Sequence, residues 1–220
     1  MYIRFQARQR PIVGTSLDYF DYRELHLAQG RLFALLGEAV IGADVAEAFD
    51  LAPGDSIVSS PETLFDLAGI YPLKMSIAGV LKRSHTPDDQ AVFVDLKTAW
   101  VIEGLGHGHE DLSKTGDSSV ILNRSEGSVT ASAKLFQYTE ITEDNIDSFH
   151  FHGDTSVYPV TAVLAVAEDA KAATLLRGRY IKNPQYHIVR PAEVIEGLLE
   201  NLFRIKSVID SVIAIVGLAT

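Results

Sequence analysis

The sequence predicts an α+β fold: a β-rich half, then a half in which strands and helices alternate, then a long C-terminal helix. Three observations carry that expectation. Up to Leu96 the apolar runs are short and are punctuated by glycine and proline turns. Over Gly104 to Ser119, "GLGHGHEDLSKTGDSS", glycine, serine and charge replace the apolar pattern and mark a subdomain boundary. From Pro191 onward apolar residues recur every three or four positions.

The first half reads in order. "YIRFQARQR" is extended and alternating, without the apolar stretch of a signal peptide. "RPIVGTSLDYF" predicts a strand, a turn at Gly14 and a helix starting at Asp18 that carries Tyr19, Phe20 and Tyr22. In "GEAVIGADVAEAFDLAPGDSIVSS" a buried strand over Ala39 to Ile41 ends at a tight turn on Gly42. A short helix from Asp44, a Pro53-Gly54 turn and a strand through Ile57 follow. "LKMSIAGVLK" puts Leu73, Met75 and Ile77 on one face of a strand, and "AVFVDL" is another short strand. Together these imply a small barrel or a folded sheet.

Beyond the boundary, "SSVILN", "AKLFQYTEI" and "TAVLAVAE" read as strands. They are separated by helical stretches at "SEGSVTASA", "TEDNIDSF" and "EDAKAATLLRG", the last closed by Gly178. "QYHIVRP" supplies a further strand, and Pro191 stands at the first turn of the long helix. The expected divisions are therefore 1–115, β-rich; 116–190, an α/β sandwich; and 191–220, the helix. Its stripe is Val194, Ile195, Leu198, Leu199, Leu202, Ile205, Ile209, Val212 and Ile213. The final "SVIAIVGLAT" reads as the first turns of a spanning helix, which needs roughly 20 apolar residues, cut short.

Composition narrows the function classes. The 220 residues are 47% hydrophobic and 22% charged, ordinary globular values, with a net charge of -10. Such a charge repels phosphate backbones, so no nucleic-acid partner is expected. There is no cysteine, so disulfides and thiol nucleophiles are excluded, and any metal would fall to histidine and carboxylate ligands.

Two His-x-His pairs, "HGHED" and "HFHGD", stand out, because seven histidines in 220 residues predict roughly 0.2 such pairs by chance. In an extended segment residues i and i+2 share a side. His107 with His109, or His150 with His152, can then present two imidazoles to one ion, with Glu110, Asp111 or Asp154 completing the set. Zinc is the expected metal. The competing reading is a pair of glycine-flanked, solvated polar loops. Asp88-Asp89, after Pro87, reads as a solvated turn rather than an acid/base dyad. No G-x-x-x-x-G-K-[ST] loop and no G-x-S-x-G elbow occurs.

The succession "PIVGTSLDYF", "GRLF", "GEAVIGADVA", "LAPGDSI", "LKMSIAGVL" and "TPDDQAVFVDL" resembles the extracytoplasmic (periplasmic) core domain of MacB- and FtsX-type ABC transporter permeases. The resemblance implies a β-rich subdomain joined to a porter-like α/β subdomain, between membrane helices, on the outer face of a bacterial inner membrane. It implies partners: a cytoplasmic ABC ATPase subunit, a second permease copy, and a periplasmic partner or cargo. It implies no catalysis by this polypeptide. On its own residues, Gly30-Arg31 reads as a turn with an exposed charge and Gly54-Asp55 as a hairpin turn. Two rival readings remain. His107-x-His109-x-Asp111 matches the opening of the H-x-H-x-D-H motif of metallo-β-lactamase-type hydrolases, but Leu112 stands where the last ligand belongs. The other rival is a soluble periplasmic metal-binding or sensor protein.

Overall fold

Two residues that are not glycine begin the fold at positive φ. Arg8 (50°) and Gln9 (65°) make the two-residue connection between antiparallel strands β1 (Tyr2–Ala7) and β2 (Arg10–Thr15); this left-handed pair matches the twist of a hairpin. The computed structural model describes residues 1–60, 72–108, 121–125, 128–131 and 139–219. After β2 come α1 (Asp18–Tyr22), β3 (Leu27–Gly30), β4 (Glu38–Ile41), α2 (Ala43–Phe49) and β5 (Ser56–Val58). Next are β6 (Lys74–Leu81), β7 (Val92–Asp95) and α3 (Leu96–Ile102).

These seven strands form one mixed sheet in the order β1-β2-β7-β4-β6-β3, with β5 also on β6. The long strand β6 pairs along one edge with β4, and along the other with β5 and β3. Just past β5, Ser60 makes an antiparallel bridge with Gln6 of β1, so the sheet folds back toward its first strand, as the short strands and tight turns predict. The central strands are apolar on both sides. Ile12, Ala39, Ile41, Val92 and Val94 join a large core with Phe5, Ile57, Met75, Ile77 and α3. Their neighbours Val13, Val40 and Phe93 face a second core with Phe20 and Phe33. That two-sided burial is why "AVI" and "VFV" read as unbroken apolar runs rather than alternations.

Several local expectations are corrected. Gly14 is not a turn; it lies inside β2, paired with Val94, where a Cβ would come within 2.6 Å of Ala99 Cβ. Small size, not a bend, is what that position requires. Helix α3 follows β7 directly, with Asp95 Oδ1 accepting from the Lys97 N–H at 2.9 Å as its N-cap. Asp88 and Asp89 are buried, at 7% and 4% exposure, and so are not a solvated turn. Asp88 accepts from the Tyr19 hydroxyl at 2.7 Å and from Arg23. Asp89 accepts from the Ser84 N–H, the Ser84 hydroxyl and the His85 N–H. Gly42 lies so close behind this turn that a Cβ would meet the Asp89 carbonyl oxygen at 2.3 Å. Arg31 is exposed, as expected, and it is also paired: its guanidinium grips Glu38 in a two-pronged ion pair.

The chain continues through β8 (Gly106–His107), the antiparallel pair β9 (Ile121–Ser125) and β10 (Ser128–Ala131), and β11 (His150–Phe151), which pairs with β8. Strand β10 replaces the helix expected over "SEGSVTASA". Val129 and Thr130 are β-branched, and only Glu126 and Gly127 separate the two strands, both hairpin signals. Thr161 to Glu168 forms no strand, and Val163 and Val166 are 79% and 72% exposed. Extended apolar chain is a strand only when an edge pairs along it; the Thr161 and Ala162 N–H groups meet the Met1 carbonyl oxygen, which makes no ladder, and Gln185 to Arg190 forms no strand either.

Met1–Val163 and Leu164–Thr220 are separate compact units. The boundary expected after residue 115 lies outside the described residues. The second unit contains α4 (Ala170–Tyr180) and α5 (Pro191–Ala219). Asp169 caps α4 through the Ala172 N–H at 2.6 Å. That helix runs through Gly178 to Tyr180 instead of ending there, since one interior glycine costs only about 1 kcal/mol. Helix α5 is 29 residues long, and its stripe from Val194 to Ile213 is exposed. No described helix is long and apolar enough to cross a membrane.

Candidate metal centre

The two histidine-bearing segments meet. β8 and β11 are antiparallel, with His107 directly opposite His150 and Gly106 opposite Phe151. The local sequences explain the approach. In "SFHFH" aromatic and imidazole side chains alternate, and successive side chains of extended chain point to opposite faces. Phe149 and Phe151 pack against the large core, which turns His150 and His152 the other way. On the facing strand, a Cβ at Gly106 would sit 2.7 Å from the Phe151 ring, and one at Gly108 would sit 2.6 Å from the Phe149 ring. The glycines flanking His107 therefore make room for the phenylalanines.

Further contacts hold this return segment in place. The Tyr158 hydroxyl lies 2.6 Å from the His152 carbonyl oxygen and 3.1 Å from that of Leu105, and the Trp100 indole N–H donates to Pro159 at 2.9 Å. Trp100 and Tyr158 stack edge to face, ring centres 5.1 Å apart. The Thr161 and Ala162 N–H groups donate to the Met1 carbonyl oxygen at 2.9 and 3.3 Å.

His107, His150 and His152 form a nearly equilateral triangle. Their ring centres are separated by 4.9 Å (107–150), 4.8 Å (107–152) and 4.8 Å (150–152). One nitrogen from each lies within 4.8 Å of the others. His150 Nδ1 is 3.1 Å from the Ser148 carbonyl oxygen. A carbonyl only accepts, so in the neutral imidazole Nδ1 carries the proton and Nε2 is the nitrogen left to coordinate, the arrangement that orients histidine ligands in metal sites. Three neutral nitrogen donors suit zinc and its neighbours in the first transition row, and leave one tetrahedral position for water or another ligand. Magnesium and calcium demand oxygen ligands.

The other predicted site residues are placed differently. Asp154 is exposed and is not part of this group. Its Oδ1 accepts from the Ser156 N–H at 2.8 Å, capping the 3-10 turn Thr155–Val157, and that bond holds its carboxyl below the usual value. His109 and Asp111, and with them the H-x-H-x-D reading, lie outside the described residues. The Phe/His alternation that aims His150 and His152 together was visible in the sequence. The register that sets His107 opposite His150 was not, because it pairs segments about forty residues apart.

A family model described as the MacB-like periplasmic core domain matches residues 2–135 of the chain. No curated protein and no solved structure matches it.

Proposed function

The chain belongs to the MacB-like periplasmic core domain family, and from that membership we propose that it is the extracytoplasmic domain of an ABC transporter permease driven by a partner ATPase. The observation that carries this reading is the extent of the match, which includes every strand of the seven-stranded sheet. The sequence motifs that express the family have structural work in this chain rather than catalytic work. Arg31 and Glu38 clamp the turn before β4, and Gly42 backs the Asp88-Asp89 turn. A scaffold of that kind suits a domain that transmits force or holds a partner. In this reading ATP hydrolysis belongs to a cytoplasmic ATPase subunit, and the working assembly pairs two permease copies. The cargo is handled outside the inner membrane.

These 220 residues contain no cysteine, so once any cysteine elsewhere in the permease is replaced, a single introduced one reports location directly. A single Asp21→Cys substitution at an exposed position of α1 is made in the intact permease in its native membrane. A membrane-impermeant maleimide added to spheroplasts is expected to label it without lysis. Labelling only after the membrane is broken would overturn the reading.

A further inference from the structure

We propose that His107, His150 and His152 bind one divalent ion of the zinc class, clasping the returning strand β11 onto β8. This inference stands apart from the transporter reading, because it rests on side-chain geometry alone. Four observations support it. Three imidazoles from two segments converge at nearly equal spacing. The Ser148 carbonyl fixes the His150 tautomer that exposes Nε2. The alternation with Phe149 and Phe151, themselves packed against the core, makes the convergence a consequence of the fold. The glycines on either side of His107 are shaped to those same two rings.

The geometry is close to a binding arrangement and needs a small adjustment. A zinc ion with Zn–N bonds of ~2.1 Å holds its nitrogens ~3.4 Å apart, and the nitrogens here lie within 4.8 Å of one another. His107 is half-buried and backed by β11, whereas His152 is exposed and can swing inward by torsion about its side chain. The three donors grouped here are imidazole nitrogens, which favours imidazole-preferring metals over magnesium and calcium.

The clasp has a mechanical consequence. The β8–β11 ladder is only two residue pairs long, and so short a ladder adds little by itself. An ion held from both strands adds a direct link between them, which stabilises the folded form in proportion to its occupancy. The metal thus fixes the last part of the first unit, from β11 to Val163, where the chain passes to the second.

The test is a calorimetric zinc titration of the whole 220-residue chain at neutral pH. One ion per chain is expected, with a higher melting temperature. Replacement by cobalt should give the visible absorption bands of a tetrahedral complex. His107→Ala, His150→Ala and His152→Ala should each weaken binding by about tenfold or more, while His187→Ala, in the second unit, should not, and millimolar magnesium should not displace the ion. In the unaltered chain, zinc should protect these three histidines, and not His187, from diethyl pyrocarbonate. That arm keeps the test decisive even if a variant folds poorly. No saturable uptake, uptake unchanged in the His150→Ala, His152→Ala double variant, or absence of selective protection would each overturn the site.

Discussion

Asp89 accepts three hydrogen bonds from the Ser84–His85 turn while almost fully buried. Burial alone would raise its pKa, but the Ser84 and His85 donors, with Arg83 nearby, outweigh burial and hold the carboxyl below its usual value. Glu38 is balanced in the same way: burial opposes its charge, and Arg31 with the Ala34 and Leu35 N–H groups prevails. Both groups have folded-state pKa values below their unfolded ones. Their stabilisation is therefore complete above the ordinary carboxylate range and is lost as pH falls through the depressed values. Acid melting should set in below about pH 4, and in Asp89→Ala the part that depends on this turn should be missing. That variant leaves the Ser84 and His85 donors without their acceptor, at a cost of about 1–3 kcal/mol; thermal melts at pH 7 and pH 3.5 check both points. Beside Asp88, burial and then the hydrogen bond to the carboxylate push the Tyr19 hydroxyl up to about 12, so it remains a donor at neutral pH.

At the scale of elements, β8 and β11 show what the sequence could and could not tell. Most strands of the first half were readable, because Leu73, Met75 and Ile77 alternate and Ala39 to Ile41 sit between turn residues. The His-x-His pairs stood out by composition alone. Which pairs with which depended on Phe149 and Phe151 finding the core, a tertiary event that local periodicity does not encode. The helix expected at "SEGSVTASA" failed for a related reason, since its small polar residues favour a helix only weakly and hairpin pairing overrode them. The role of Gly106 can be tested without touching a histidine. Gly106→Ala places a Cβ against the Phe151 ring and within 3.1 Å of the His150 carbonyl oxygen. It should lower the melting temperature through about 1–3 kcal/mol of overpacking and weaken zinc binding as well. Gly178→Ala, with open space around it in α4, should instead leave zinc binding unchanged and stabilise its helix by up to about 1 kcal/mol. Equal zinc affinity in the Gly106→Ala variant would mean that β8 does not set the position of His107.

The whole molecule has a folded sheet packed on both faces, a short strand pair at which His107 and His150 meet beside His152, and a second unit ending in α5. The stripe from Val194 to Ile213 repeats every three or four residues on that helix and is exposed within its own unit, which suits it to packing against another helix. In the transporter reading, α5 links the family domain to the parts of the permease that the ATPase moves, so the domain must respond to nucleotide. The most direct measurement uses the intact permease, reconstituted with its ATPase, carrying a fluorophore on the Asp21→Cys position. The account predicts that ATP changes the fluorescence and that Gly-Gly inserted after Leu199 abolishes the change while the domain stays folded, because glycine destabilises a helix interior by about 1 kcal/mol each. A signal indifferent to ATP without the insertion, or one that survives the insertion intact, would contradict it.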